Sequence, residues 1–279
     1  MLDIRPYKQY NGEKRIAVMD NSLLAFMHEL KHKGYSPESL FSDYDLILIP
    51  GWVQVEVEDS EMRAKYLQTL INLGYPVYSI NEADYSDLVN HEELNLYEIV
   101  LASVNKIGAL RSYLRRNVSR SDPLDIDSYR EWIQKMYRDW PIPGEQTMNR
   151  DRKKNAGEIS ITILAEILSW YYPNIEGITV YSSDADTYEF IISAEDHLRK
   201  FFSNKSPIPI SYKSTDSVLC QMYRMNLITL EQAASLRPNP RTIRYIRVQA
   251  DNSVSVNWKV INAEEFLLMI QDSSIRIIF

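Results

Sequence analysis

Short apolar runs alternate with helix-spaced apolar patterns along the first 80 residues. Ile16, Ala17, Val18 and Met19 predict a strand over Arg15–Met19. Asp20-Asn21-Ser22 follows as a capping sequence. Leu23, Leu24, Phe26, Met27 and Leu30 then recur at helical spacing until Gly34. Leu46–Ile49 reads as a second strand, closed by Pro50-Gly51. One helix is expected from Trp52 or Val53 through Leu70, and Val77–Ile80 reads as a third strand. Strand, helix, strand, helix, strand predicts a parallel sheet with right-handed crossovers.

From about Glu82 to Asn149 the alternation stops. Tyr97–Arg116 and Ser128–Trp140 read as helices, and Pro141-Ile142-Pro143-Gly144 as a rigid loop, so this stretch is expected to be a helical insertion. The alternation resumes with a helix over Ala156–Tyr172 and a strand over Ile178–Tyr181. A helix over Thr187–Phe202, a short strand at Pro207–Ser211 and a helix over Asp216–Met225 complete it. Beyond Arg237-Pro238-Asn239-Pro240 the pattern changes. Ile243–Val248 and Val254–Trp258 read as strands paired around Asp251-Asn252, followed by a helix at Asn262–Ile270 and a strand at Ile275–Phe279. The expected class is α/β: a three-layer α/β/α sandwich with a mostly parallel central sheet. Residues 1–237 form its core, with the helical insertion at about 82–149, and residues 238–279 form a small C-terminal α+β appendage.

Composition narrows the function classes. Hydrophobic residues make up 45% and charged residues 25% of the 279, which is enough to bury a sizeable core. A formal net charge of −7 argues against sequence-independent coating of nucleic acid by a basic surface, although it leaves room for a local site. The single cysteine, Cys220, excludes an intrachain disulfide and a cysteine zinc site, and the four histidines form no metal motif. No apolar signal core opens the sequence, and no run approaches the roughly 20 apolar residues that span a bilayer. A cytoplasmic protein without a membrane partner is the expectation.

Asp20 ends the first strand, Glu56 lies a turn beyond the second, and Asp184 and Asp186 follow the strand at Ile178–Tyr181. Ligands of open parallel sheets bind outside the carboxyl ends of the strands, so these acids are expected to converge there. Glu158, in the first turn of its helix, is expected to reach the same cleft. Crowded carboxylates repel, and they suit Mg²⁺ or Mn²⁺, hard cations that prefer oxygen donors. A pair of such ions can hold a phosphate, activate a water and stabilise the leaving oxygen.

The same residues carry a resemblance. Val18-Met19-Asp20-Asn21-Ser22 resembles the strand-terminal aspartate motif that opens PIN domains, and Ile49-Pro50-Gly51-Trp52-Val53-Gln54-Val55-Glu56 resembles their second motif. Ala156-Gly157-Glu158 resembles the third, Tyr181-Ser182-Ser183-Asp184-Ala185-Asp186 the fourth, and Ser211–Leu227 the closing segment. The resemblance covers roughly Arg15–Ile80 and Asn155–Ala234. It implies a metal-dependent nuclease, most often an endoribonuclease of toxin or defence type. Asp20, Glu56, Glu158, Asp184 and Asp186 would be the catalytic and metal-binding acids, RNA the usual substrate, and an antitoxin or regulatory protein the partner.

Competing readings are a nuclease of DNA or structured nucleic acid and an inactive PIN-like binding or regulatory module. A hydrolase with a covalent aspartate is a further alternative, suggested by the Asp184-x-Asp186 pair. Glu58 competes with Glu56, since two helical residues so spaced face differently. Arg150, Arg152, Lys153 and Lys154 read either as a phosphate clamp or as a solvated loop. Asn155 and Ser183 are placed to orient carboxylates or water. Arg111, Arg115, Arg116 and Arg120 form a basic strip or an ordinary helix surface. Trp52, Trp132, Trp140, Trp170 and Trp258 either stack bases or fill the core.

Overall fold

Strand-forming runs lie where the apolar pattern puts them, and their pairing decides which strand ends meet. The structure is a computed structural model describing residues 3–118, 128–142, 145–147, 150–249 and 253–278, with the backbone alone at 145–147 and 150–152. Arg120, Pro143-Gly144, Asp251-Asn252, Phe279 and the side chains of Arg150 and Arg152 lie outside the described residues.

The chain opens with β1 (Arg5–Pro6) and β2 (Arg15–Met19), then α1 (Asn21–His32), β3 (Leu46–Pro50), α2 (Gly51–Glu58), α3 (Glu61–Asn72) and β4 (Val77–Ile80). The single helix expected from Trp52 to Leu70 is two helices. Ser60 is extended (φ −130°, ψ 113°), and the break re-aims the chain: Val53 and Val57 are buried on α2, while Tyr66, Leu67 and Leu70 are buried on α3, which packs against α1. Next come α4 (Tyr85–Leu88), α5 (Glu93–Ser103), α6 (Gly108–Asn117) and α7 (Tyr129–Arg138). The helix expected over Tyr97–Arg116 is likewise interrupted, with Ile107 extended before α6. The insertion is not wholly helical: β5 (Glu145–Thr147) and β6 (Arg150–Arg152) pair antiparallel there.

The core then continues through α8 (Ala156–Tyr171), β7 (Gly177–Tyr181), α9 (Ala185–Phe201), β8 (Ile210–Lys213) and α10 (Thr215–Arg224). β8 starts three residues later than expected, because Pro207 and Pro209 have no N–H to donate to a ladder. Apolar spacing does not predict α11 (Leu230–Leu236). Its signal is the capping box in which Thr229 and Gln232 satisfy each other's backbone N–H groups. The chain ends with β9 (Arg241–Val248), β10 (Val254–Ile261), α12 (Ala263–Gln271) and β11 (Ile275–Ile277).

Six strands form one sheet in the order β1-β4-β3-β2-β7-β8, and every pairing is parallel. Right-handed crossovers put α1 and α3 on one face, while α5, α8 and α9 pack together on the other. This is an α/β fold consistent with three α/β/α layers. β9, β10 and β11 make a separate antiparallel sheet whose Ile243, Ile261 and Ile275 are buried together with Phe266 and Ile270 of α12.

The order contains a topological switch. After β2 the chain crosses through α1 toward β3; after β7, the neighbour of β2 on its other side, it crosses through α9 toward β8. The two connections leave in opposite directions, which opens a crevice at the carboxyl ends of β2 and β7. Asp20 and Asp184 are the residues at that point.

Candidate functional site

Asp20 is anchored by the sheet itself. Its N–H donates to the Tyr181 carbonyl at 2.8 Å, so the residue after β2 is tied to the last residue of β7. Its side chain caps α1, accepting from the Asn21 N–H at 2.7 Å. It also accepts from Ser182 Oγ at 2.7 Å and from Ser22 Oγ. Asp20 is buried, and burial raises its carboxyl above the usual range despite those three donors; Asp184 nearby pushes the same way.

Asp184 caps α9, accepting from the Asp186 N–H at 2.8 Å. Its own N–H donates to Ser182 Oγ at 3.0 Å, and its carbonyl accepts from the Tyr212 hydroxyl. One serine therefore links both strand-end aspartates. Glu56 projects from α2, and its Oε2 accepts from Asn21 Nδ2. The start of α2 is fixed by Glu82, a buried acid whose Oε1 accepts from the Trp52 N–H at 2.9 Å. Glu158 stands in the first turn of α8, after Asn155 in a left-handed conformation (φ 63°).

These elements enclose a polar cavity of about 290 Å³ lined by Asp20, Asn21, Ser22, Glu56, Lys153, Lys154, Asn155, Glu158 and Asp184. Four of the five expected acids thus share one space. The fifth, Asp186, is exposed in the first turn of α9 and does not line it. Glu56 is the acid of its helix that reaches the cavity, and Glu58 does not line it. The Glu158 carboxyl is pushed up to about 8, first by burial and then by Asp20, Glu56 and Asp184. Burial is the larger cause, and the repulsion of the three neighbouring carboxylates adds to it. The donor chemistry, carboxylate oxygens joined by an amide and a hydroxyl, fits a hard divalent cation. Among the described residues, however, no three His, Cys, Asp or Glu side chains stand ready as a metal-binding group. Asp20 is turned into its serines and Glu56 toward Asn21.

Lys153 donates to the Tyr137 carbonyl and, at 3.3 Å, to the Arg138 carbonyl at the end of α7, and its ammonium sits 5.4 Å from the Trp52 ring centroid. Lys154 is exposed on the cavity wall. A second cavity of about 340 Å³ shares Lys153 with the first and is walled by Trp52 and Tyr137. Trp52, Tyr137 and Trp140 form a continuous ring stack, with centroid separations of 5.3 and 5.1 Å. Trp132 and Trp170 are buried, and Trp258 is exposed on β10. Ser183 is exposed, its N–H donating to Ser22 Oγ at 3.0 Å. Arg111 and Arg116 of the basic strip bond to carbonyls of their own region, those of Asn105 and Ser112.

Glu82 does not stand out in the sequence pattern; Ser182 falls within the fourth resemblance motif without a role of its own, and Asn21 and Ser22 read as capping residues within the first. Asn21 and Ser22 are visible as polar residues directly after a strand-end aspartate. Glu82 carries no signal, because its role depends on where α2 begins in space. Among the described residues no helix is long and apolar enough to cross a membrane. Comparisons with protein-family models, curated proteins and solved structures found no match to this chain.

Proposed function

We propose that the protein is a metal-dependent nuclease with a PIN-like core that hydrolyses phosphodiester bonds, RNA being the favoured substrate. The observation that carries this reading is the convergence of Asp20, Glu56, Glu158 and Asp184 on one polar cavity at the sheet's switch point. Asp20 and Asp184 would hold Mg²⁺ or Mn²⁺, with Glu56 and Glu158 completing the donor set. Such an ion would supply neutralising charge and a more acidic water at the scissile phosphate. Lys154 meets the phosphate from the cavity wall, and Lys153 fixes the end of α7 beside it. Ser182 sets the orientation of Asp20 and, through the Asp184 N–H, of the following turn.

The test is cleavage of matched RNA and DNA oligonucleotides with Mg²⁺ or Mn²⁺ supplied. Metal-dependent cutting by the wild-type protein, lost in both Asp20→Asn and Asp184→Asn, supports the proposal. Undiminished cutting by both variants removes it. Preference for DNA over RNA keeps the chemistry and corrects the substrate.

One observation favours a second reading, a non-catalytic binding module on the same fold. The acids are not disposed as a ready metal-binding group, and Asp20 already has three donors. This reading predicts that Mn²⁺ leaves the melting temperature unchanged, because only a ligand that binds the folded state raises it.

A further inference from the structure

β10 is the outer strand of the C-terminal sheet, whose order is β10-β9-β11. Among the described residues no strand pairs with its free side. The ladder shows which residues present backbone groups there. The Val248 N–H donates to the Ser274 carbonyl at 2.9 Å and the Ile278 N–H to the Arg244 carbonyl at 2.8 Å, so even-numbered β9 residues address the β11 side. Odd-numbered β9 residues therefore address β10, and their register partners are Ser255, Asn257 and Lys259. This leaves Val254, Val256, Trp258 and Val260 with N–H and C=O groups directed outward. The same four carry side chains that are 62%, 61%, 74% and 59% exposed, all on one face. Edge strands are ordinarily blunted by charge, proline or a covering element. This one carries a single charged residue, Lys259, which is on the opposite face and paired with Glu265.

We infer that β10 pairs antiparallel with β10 of a second copy of this chain, joining two three-stranded sheets across a two-fold axis at Asn257. The sequence of the strand is self-complementary in that register. Val254 meets the copy's Val260, and Val256 meets its Trp258, so all four outward residues find an apolar partner and complete the backbone ladder. Lys259 meets Ser255, and no like charges are opposed. A two-residue slip either way leaves one of the four without an apolar partner from this set. Isologous pairing uses the same patch on both copies and closes at two, so it does not propagate into a fibre. The inference rests on the C-terminal sheet alone and is independent of the nuclease reading.

The test is the solution mass of the full chain by sedimentation or light scattering across micromolar concentrations. The wild-type protein is expected to be a dimer, and Val256→Lys and Trp258→Lys monomers with unchanged circular dichroism. Leu268→Lys, which alters an equally exposed apolar residue on α12, should remain a dimer. Asn257→Cys should form a covalent dimer on mild oxidation because the two copies face each other there, whereas Ser255→Cys should not. Cys220 is buried and stays out of the reaction. A monomeric wild type overturns the inference, as does a dimer that survives both lysine variants. Cross-linking through Ser255→Cys in place of Asn257→Cys overturns the register.

Discussion

The Glu56 carboxylate oxygen Oε2 lies 3.0 Å from the position a β-carbon on Gly157 would occupy, with Oε1 at 3.3 Å and Cδ at 3.4 Å. Only glycine leaves the carboxylate undisturbed against the first turn of α8. Alanine in its place favours the helix by up to about 1 kcal/mol and moves Glu56 by a few tenths of an ångström. Gly157→Ala is therefore expected to melt no lower than the wild type while losing roughly tenfold in Mn²⁺ affinity and turnover, the scale on which displaced supporting groups act. Calorimetric titration with Mn²⁺ checks this. An unchanged dissociation constant would show that Glu56 takes no part in holding the ion.

Asp20→Asn separates stability from activity. Asparagine still accepts the Asn21 N–H as a helix cap, and it removes a buried charge whose solvation is poor. The variant should melt at or above the wild-type temperature. Cleavage should fall by at least about 100-fold, as when a group stabilising developing charge is lost. Mn²⁺ at a hundred times its dissociation constant stabilises the wild type by about 2.7 kcal/mol, a rise of roughly 5 °C or more for a chain of this size. The rise should vanish in Asp20→Asn. If the wild type shows none, the binding-module reading takes over.

The central strands of the main sheet were legible because they are apolar runs packed on both faces, such as Leu46–Pro50, where every residue is buried; the edge strand Arg5–Pro6 was not, since its two exposed residues form no apolar run. Gly157 was legible as well: a glycine in a helix's first turn costs stability, and its return is the close approach of Glu56. The helix breaks at Ser60 and Ile107 were not, since apolar spacing runs on through both and only tertiary packing re-aims the chain. Asp186 shows the limit of motif reading. Two residues past Asp184 in sequence, it lies on the exposed side of α9, because the cap turns Asp184 inward and the first helical turn carries Asp186 out. Glu82 and Arg237 owe their importance to partners remote in sequence, which a single sequence does not display.

Arg237 is fully buried at the start of the C-terminal segment. It donates to Asp216 Oδ2 at 2.9 Å and to the carbonyls of Ile261, Asn262 and Arg241 at 3.0, 3.2 and 3.2 Å, while its guanidinium lies 4.8 Å from the Phe266 ring centroid. Removing one partner of a buried ion pair costs about 3–5 kcal/mol, because the other charge is left uncompensated. Arg237→Ala is expected to destabilise the protein by that amount in urea unfolding. Arg237→Lys should recover only part of it, since an ammonium does not match the planar fork that serves four acceptors. A loss below about 1 kcal/mol would mean that Arg241, which also bonds Asp216, suffices to compensate the carboxylate.

Glu166 gives the stability a defined pH dependence. It is fully buried on α8, with Oε2 accepting from Trp170 Nε1 at 2.9 Å and Oε1 without a hydrogen-bond partner among the described residues. Burial pushes its carboxyl up to about 8, with Glu195 adding to the rise and Arg199 opposing it. The unfolded chain releases this proton near pH 4.5 and the folded chain near pH 8, so between those values the native state binds more protons. Stability from this group is present below about pH 4.5, falls as pH rises, and is lost above about pH 8. The loss is on the order of 5 kcal/mol, at about 1.4 kcal/mol for each pH unit separating the two values. Glu166→Gln, which keeps an acceptor for Trp170 but has no proton to lose, should flatten this decline and be the more stable protein at pH 9. Urea unfolding of both proteins from pH 5 to pH 9 measures the two slopes. Parallel curves would place the Glu166 carboxylate in contact with water and refute its burial as the cause.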